Sequence, residues 1–95
     1  MNKYEAMYII TPELEEEARR AVIEKFAAIM SSNGAEIEKT DEWGMRKLAY
    51  AIDYKTEGYY VLVNFESAPS FPAELERNFK IDENIIRYMV IRREA

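Results

Sequence analysis

Ninety-five residues make one small domain, 1–95, and leave nothing over for a second. With 48% hydrophobic and 33% charged residues the chain has the composition of a folded globular protein, yet it holds neither cysteine nor histidine, which excludes disulfides, thiolate or imidazole metal sites and every catalytic arrangement built on those side chains. The net charge of −5 argues against a free-standing nucleic-acid binder, because such proteins gain affinity by neutralising phosphates with an excess of Lys and Arg.

Lys3 to Ile10 is rich in aromatic and β-branched residues and reads as a strand that runs into Thr11-Pro12. Thr11 is the expected N-cap of a helix and Pro12 its first residue. From there Leu14, Ala18, Val22, Phe26, Ile29 and Met30 recur at helical spacing and make one apolar stripe. Glu13, Glu15, Glu16 and Glu17 fall in the first turns, where they favour the helix dipole. Asn33-Gly34 tolerates the left-handed conformation that ends a helix.

Ala35 to Trp43 resumes as a strand in which Ile37 and Trp43 share one parity and Glu36, Glu38, Thr40 and Glu42 take the other. Beyond Gly44 the apolar parity moves to Leu48, Tyr50 and Ile52, which predicts a bulge or kink near Gly44 to Arg46. Asp53 to Gly58 is the expected hairpin turn, and the nearly continuous apolar run Tyr59 to Phe65 reads as a central strand. Ser70 caps a second, shorter helix with Leu75 and Phe79 on its inner side, Asp82 to Asn84 turns, and Ile85 to Arg93 is the last strand. The order β-α-β-β-α-β, with right-handed crossovers, predicts an α+β, ferredoxin-like domain: a four-stranded antiparallel sheet in order 4-1-3-2 with both helices on one face and the other face open.

No catalytic constellation is present. Gly34, Gly44 and Gly58 lie too far apart for a phosphate-binding loop, and Glu36, Glu38 and Glu42 are expected on an exposed strand, where nothing shifts a carboxylate toward acid-base work. No enzyme activity, cofactor, metal or small-molecule substrate is expected. The longest apolar runs, such as Tyr59 to Val63, are far short of the roughly 20 residues that span a bilayer. No membrane association is expected, and a cytoplasmic address is the default. What remains is the sheet surface, where Trp43, Tyr50, Tyr59, Tyr60 and Tyr88 share strands with Arg46, Lys47, Arg87, Arg92 and Arg93, an interleaving that suits RNA bases and phosphates.

The segment Trp43-Gly44-Met45-Arg46-Lys47-Leu48-Ala49-Tyr50-Ala51-Ile52 resembles the signature of the bacterial small-subunit ribosomal protein six family. Tyr4-Glu5, Gly58-Tyr59-Tyr60 and the closing run Asp82 to Val90 resemble that family in the same order. One departure is Ala51, where the family usually has Pro. The resemblance implies a structural component of the small ribosomal subunit that forms a heterodimer with small-subunit ribosomal protein eighteen and binds the central domain of the small-subunit ribosomal RNA. It places Trp43, Leu48 and Tyr50 against the protein partner, and Lys3, Arg46, Lys47, Arg87, Arg92 and Arg93 against RNA phosphate or sugar. A basic partner would supply the phosphate neutralisation that an acidic chain lacks. The alternatives are a stand-alone single-stranded RNA binder using the open sheet face and a self-associating module that pairs its sheet edges.

Overall fold

The structure, a computed structural model, describes residues 1–52 and 54–93. Its elements follow in the order β1 (Asn2–Ile10), α1 (Glu16–Ser32), β2 (Glu36–Ile52), β3 (Lys55–Ser67), α2 (Phe71–Ile81) and β4 (Ile85–Arg92). The strands form one antiparallel sheet ordered β2-β3-β1-β4, which is the expected 4-1-3-2 read from the other edge. Alternate residues of the two central strands, Tyr4, Ala6, Tyr8 and Ile10 with Val61, Val63 and Phe65, point to the helices and are buried. Phe26 of α1 and Phe79 of α2 meet over Tyr8, with ring centroids 4.6 Å apart and the Tyr8 ring 5.4 and 5.0 Å from them. This aromatic triple joins both helices to the sheet, and truncating either Phe would cost about 3–5 kcal/mol.

The start of α1 departs from expectation. Thr11 is not its N-cap: the helix begins at Glu16 after Glu15, and no side chain caps it. Thr11 instead extends the sheet, its buried backbone N–H donating to the Asn84 carbonyl at 2.8 Å while its hydroxyl donates to Glu13 at 2.8 Å. That bond holds Thr11 in line with the sheet, and the chain makes a further turn over residues 12–15 before winding into the helix. As a result only Glu16 and Glu17 of the acidic run lie in the first turn, Leu14 precedes the helix, and Ala18 is exposed. The other end behaves as expected: Gly34 at φ +80° lets the Ala35 and Gly34 N–H groups return to the carbonyls of Met30 and Ser31, the bonding of a Schellman cap. Ser70 sits at the N-cap position of α2 but makes no side-chain cap bond. The two helices are tied by Lys25, whose ammonium lies 2.8 Å from the buried carboxylate of Asp82.

β2 is where the alternation fails, and the register shows why. Against β3 it shifts between Ile37 and Lys39, again between Glu42 and Gly44, and a third time between Lys47 and Ile52. The second shift lies beside the bulge expected near Gly44, and Gly44 at φ +87° supplies the left-handed backbone there. The first, at Glu38, was not expected. It puts Ile37 opposite Phe65 on the helix side and Trp43 beside Tyr60 on the open side, so these two residues do not share a face. The third bends the strand.

The hairpin is also tighter than the expected turn of Asp53 to Gly58. Ile52 faces Lys55, so only Asp53, which lies outside the described residues, and Tyr54 separate the strands. β3 is correspondingly longer. Past Met45 and Tyr59, where β1 has ended, β2 and β3 continue as a two-stranded ribbon. Gly58 lets this ribbon cross the sheet end closely: a Cβ there would collide with the Ile9 side chain and stand 3.2 Å from Ile86 Cδ1. At the tip, Tyr54 takes a positive φ of 66°, a conformation that costs a non-glycine residue about 1–2 kcal/mol.

Candidate protein and RNA interface

The bend in β2 folds the ribbon back over the uncovered face of the sheet. The Arg87 guanidinium of β4 donates to the Tyr50 hydroxyl at 2.8 Å and lies 5.6 Å from the centre of its ring. Beneath this clasp is an open pocket of about 300 Å³ whose apolar walls include Met7, Ile9, Leu48, Ile52, Tyr60 and Met89. Trp43 extends the same surface by stacking on Tyr60, with centroids 6.3 Å apart and planes 8° from parallel. Trp43, Tyr50, Met89 and Ile91 are all exposed. A cluster of this kind stands out on a chain with 33% charged residues. Leu48, Tyr50 and Trp43 thus lie on one surface patch.

Met7, Ile9, Tyr60 and Met89 complete that patch and were not singled out as partner contacts from the sequence. A signal was there: Met7 and Ile9 have the parity opposite to Tyr4, Ala6 and Tyr8, and on a sheet with helices on one face that parity is the open one.

The six basic candidates do not form a single patch. Arg92 pairs with Tyr4 and Arg87 with Ile9, five residues apart along β1 and therefore about 17 Å distant. Lys3, Arg92 and Arg93 gather at one end of the sheet, where Lys3 lies 3.5 Å from Glu38 and 3.9 Å from Glu66. Arg93 bonds Glu38 and donates from Nε to the Tyr4 carbonyl at 3.2 Å. The hydrogen bond from Arg93, reinforced by the Lys3 charge, holds the Glu38 carboxyl below the usual carboxylate range. Arg92 reaches Asn2 at 3.4 Å. Arg46, Lys47 and Arg87 lie at the ribbon end. There Arg46 donates to the Trp43 carbonyl at 3.3 Å and stands 6.0 Å from the centre of its indole, while Lys47 is exposed opposite Glu57. The ribbon end thus joins cations to aromatics; the other end is a network of opposite charges.

On the helix side of the same edge, the Tyr59 hydroxyl donates to Glu42 at 2.7 Å and the Arg19 guanidinium lies 4.1 Å from the ring centre. The Glu42 bond pushes the Tyr59 hydroxyl up, so it stays a neutral donor. Among the described residues no group of acidic side chains is arranged to hold a metal ion, and no helix is long and apolar enough to cross a membrane.

A split β-α-β-β-α-β domain with helices on one face and an uncovered sheet surface, apolar and cationic at one end and charge-paired at the other, is a binding module of the ferredoxin-like class. Comparison with known proteins narrows the class. A family model described as Ribosomal protein S6 matches residues 3–92. The small ribosomal subunit protein bS6 of Alkaliphilus metalliredigens is 56% identical, and that of Thermoanaerobacter pseudethanolicus 53% identical, each over 92 residues and 97% of both chains. The crystal structure of 30S ribosomal protein S6 from Thermotoga maritima superposes with a TM-score of 0.93 at 34% identity, covering 97% of this chain and 87% of that one. The chain belongs to the ribosomal protein S6 family. It is therefore a structural, non-enzymatic protein of the small subunit, located with the ribosome in the cytoplasm.

Proposed function

We propose that this protein binds the central domain of the small-subunit ribosomal RNA in company with small-subunit ribosomal protein eighteen, as a heterodimer that shares one RNA site. The observation that carries the reading is the uncovered apolar patch of Trp43, Leu48, Tyr50, Tyr60 and Met89 beside the cations Arg46, Lys47 and Arg87. Covering the patch with a protein partner removes apolar surface from water, and the flanking cations remain at the rim to meet phosphate. Lys3, Arg92 and Arg93 extend the phosphate-facing set to the far end of the sheet, where the pairing of Lys3 and Arg93 with Glu38, and of Lys3 with Glu66, makes those two contacts weaker than a free cation would give. The net charge of −5 makes the partner's contribution necessary.

The test mixes the purified protein, its basic partner and a central-domain RNA fragment and follows complex formation against salt. RNA affinity should rise steeply on adding the partner, and Tyr50→Ala should weaken the protein pair. Arg46→Ala and Arg87→Ala should each weaken RNA binding and flatten the salt slope by about one unit. Equal RNA affinity with and without the partner would refute shared binding and favour the stand-alone single-strand binder.

A further inference from the structure

The chain has seven tyrosines, and six have an evident place. Tyr4 stacks on Phe65, Tyr88 on Phe79 and Tyr60 on Trp43, while Tyr8 packs at a tilt against Phe79. Tyr50 holds Arg87, and Tyr59 holds Glu42. Tyr54 is different. At the ribbon tip its relative exposure is 101%, so the fold buries none of its ring. It is also the sole non-glycine residue at positive φ among the described residues. Tyr54 therefore costs the isolated domain backbone strain and returns no packing. Strain of this sort at an exposed position points to a role outside the domain.

The surroundings say what kind of partner would repay it. The ribbon between residues 45 and 58 carries Arg46, Lys47 and Lys55 against Asp53 and Glu57, which makes it net basic on an acidic chain. A convex tip cannot enclose a protein side chain, but stacking on a nucleobase needs only one flat, accessible aromatic face with cations nearby for the backbone. We propose that Tyr54 stacks on an unpaired base of the RNA bound by this protein, the ribbon presenting the fully exposed ring at its tip. This rests on the reading that the chain binds RNA with a protein partner.

The experiment uses the full chain with its partner and the central-domain RNA fragment, comparing wild type with Tyr54→Phe, Tyr54→Gly and Lys47→Ala. Tyr54→Gly should weaken RNA binding about 5- to 100-fold with an unchanged salt slope, because stacking rather than ion release is lost. The same substitution should leave the melting temperature of the free protein unchanged or a few degrees higher, because the left-handed backbone is relieved. Tyr54→Phe should bind within twofold of wild type, and Lys47→Ala should flatten the salt slope. RNA affinity of Tyr54→Gly equal to wild type would overturn the proposal, as would a loss confined to the protein pair measured without RNA. Should wild type itself fail to bind RNA with the partner present, the functional reading falls and this inference with it.

Discussion

Gly58→Ala isolates one contact. The backbone at Gly58 is not in the left-handed region, so alanine is conformationally acceptable and would stabilise by about 0.4–1 kcal/mol through the unfolded chain. Against this stands the new methyl group, which would overlap Ile9 Cγ2, approach Ile86 Cδ1 to 3.2 Å and meet the Ile10 carbonyl oxygen at 3.4 Å. Ile9 is buried and β-branched, so it cannot swing aside freely. Overpacking of this kind costs about 1–3 kcal/mol, leaving a net loss of about 1–2 kcal/mol. For a domain of this size that lowers the melting temperature by roughly 5–10 °C. Urea unfolding gives the free energy, and a double-mutant cycle with Ile9→Ala gives the mechanism. With the Ile9 branch removed, Gly58→Ala should cost less than about 0.5 kcal/mol or become stabilising. A single mutant as stable as wild type, or an equal loss in both backgrounds, would refute the steric account.

Gly34→Ala should cost about 1–2 kcal/mol in urea unfolding for the opposite reason: its Cβ would meet nothing within 4 Å, but the residue holds φ +80°, and Gly34→Asn should lose less. Asp82→Ala should destabilise by about 1–3 kcal/mol, since its carboxylate, 6% exposed, accepts from both Lys25 and the Asn84 backbone at 2.8 Å. Glu38 gives a pH signature. Its folded carboxyl is depressed mainly by the bond from Arg93, so its stabilisation is full above the unfolded value of about 4.3 and is lost as pH falls through the lower folded value. Carboxyl NMR should show Arg93→Ala returning the Glu38 titration toward the ordinary range.

Much of this was legible because local rules agreed. Period-two runs in β1 and β3, helical spacing from Val22 to Met30 and the Asn33-Gly34 stop all pointed to the same topology. Where the reading failed, a long-range contact had overridden a local preference. Thr11 looks like a cap but is held in line with the sheet by its bond to Asn84, a partner 73 residues away and invisible to any window. The extra residue at Glu38 leaves no mark in composition, and it alone moved Trp43 to the face opposite Ile37. Trp43, Leu48 and Tyr50 were singled out through family resemblance, whereas their union in one patch with Met7, Ile9 and Met89 depends on a bend in β2 that sequence periodicity does not encode.

The sheet order has a consequence for biosynthesis. β1 is made first but occupies the interior of the sheet, with β3 on one side and β4 on the other, so Tyr4 must wait for Phe65 and then for Arg92. At about 5–20 residues per second, the earliest strand stays unpaired for several seconds while the later ones are synthesised. A protein of the ribosome thus emerges from a ribosome with its central strand exposed, and the last strand translated is the one that closes it.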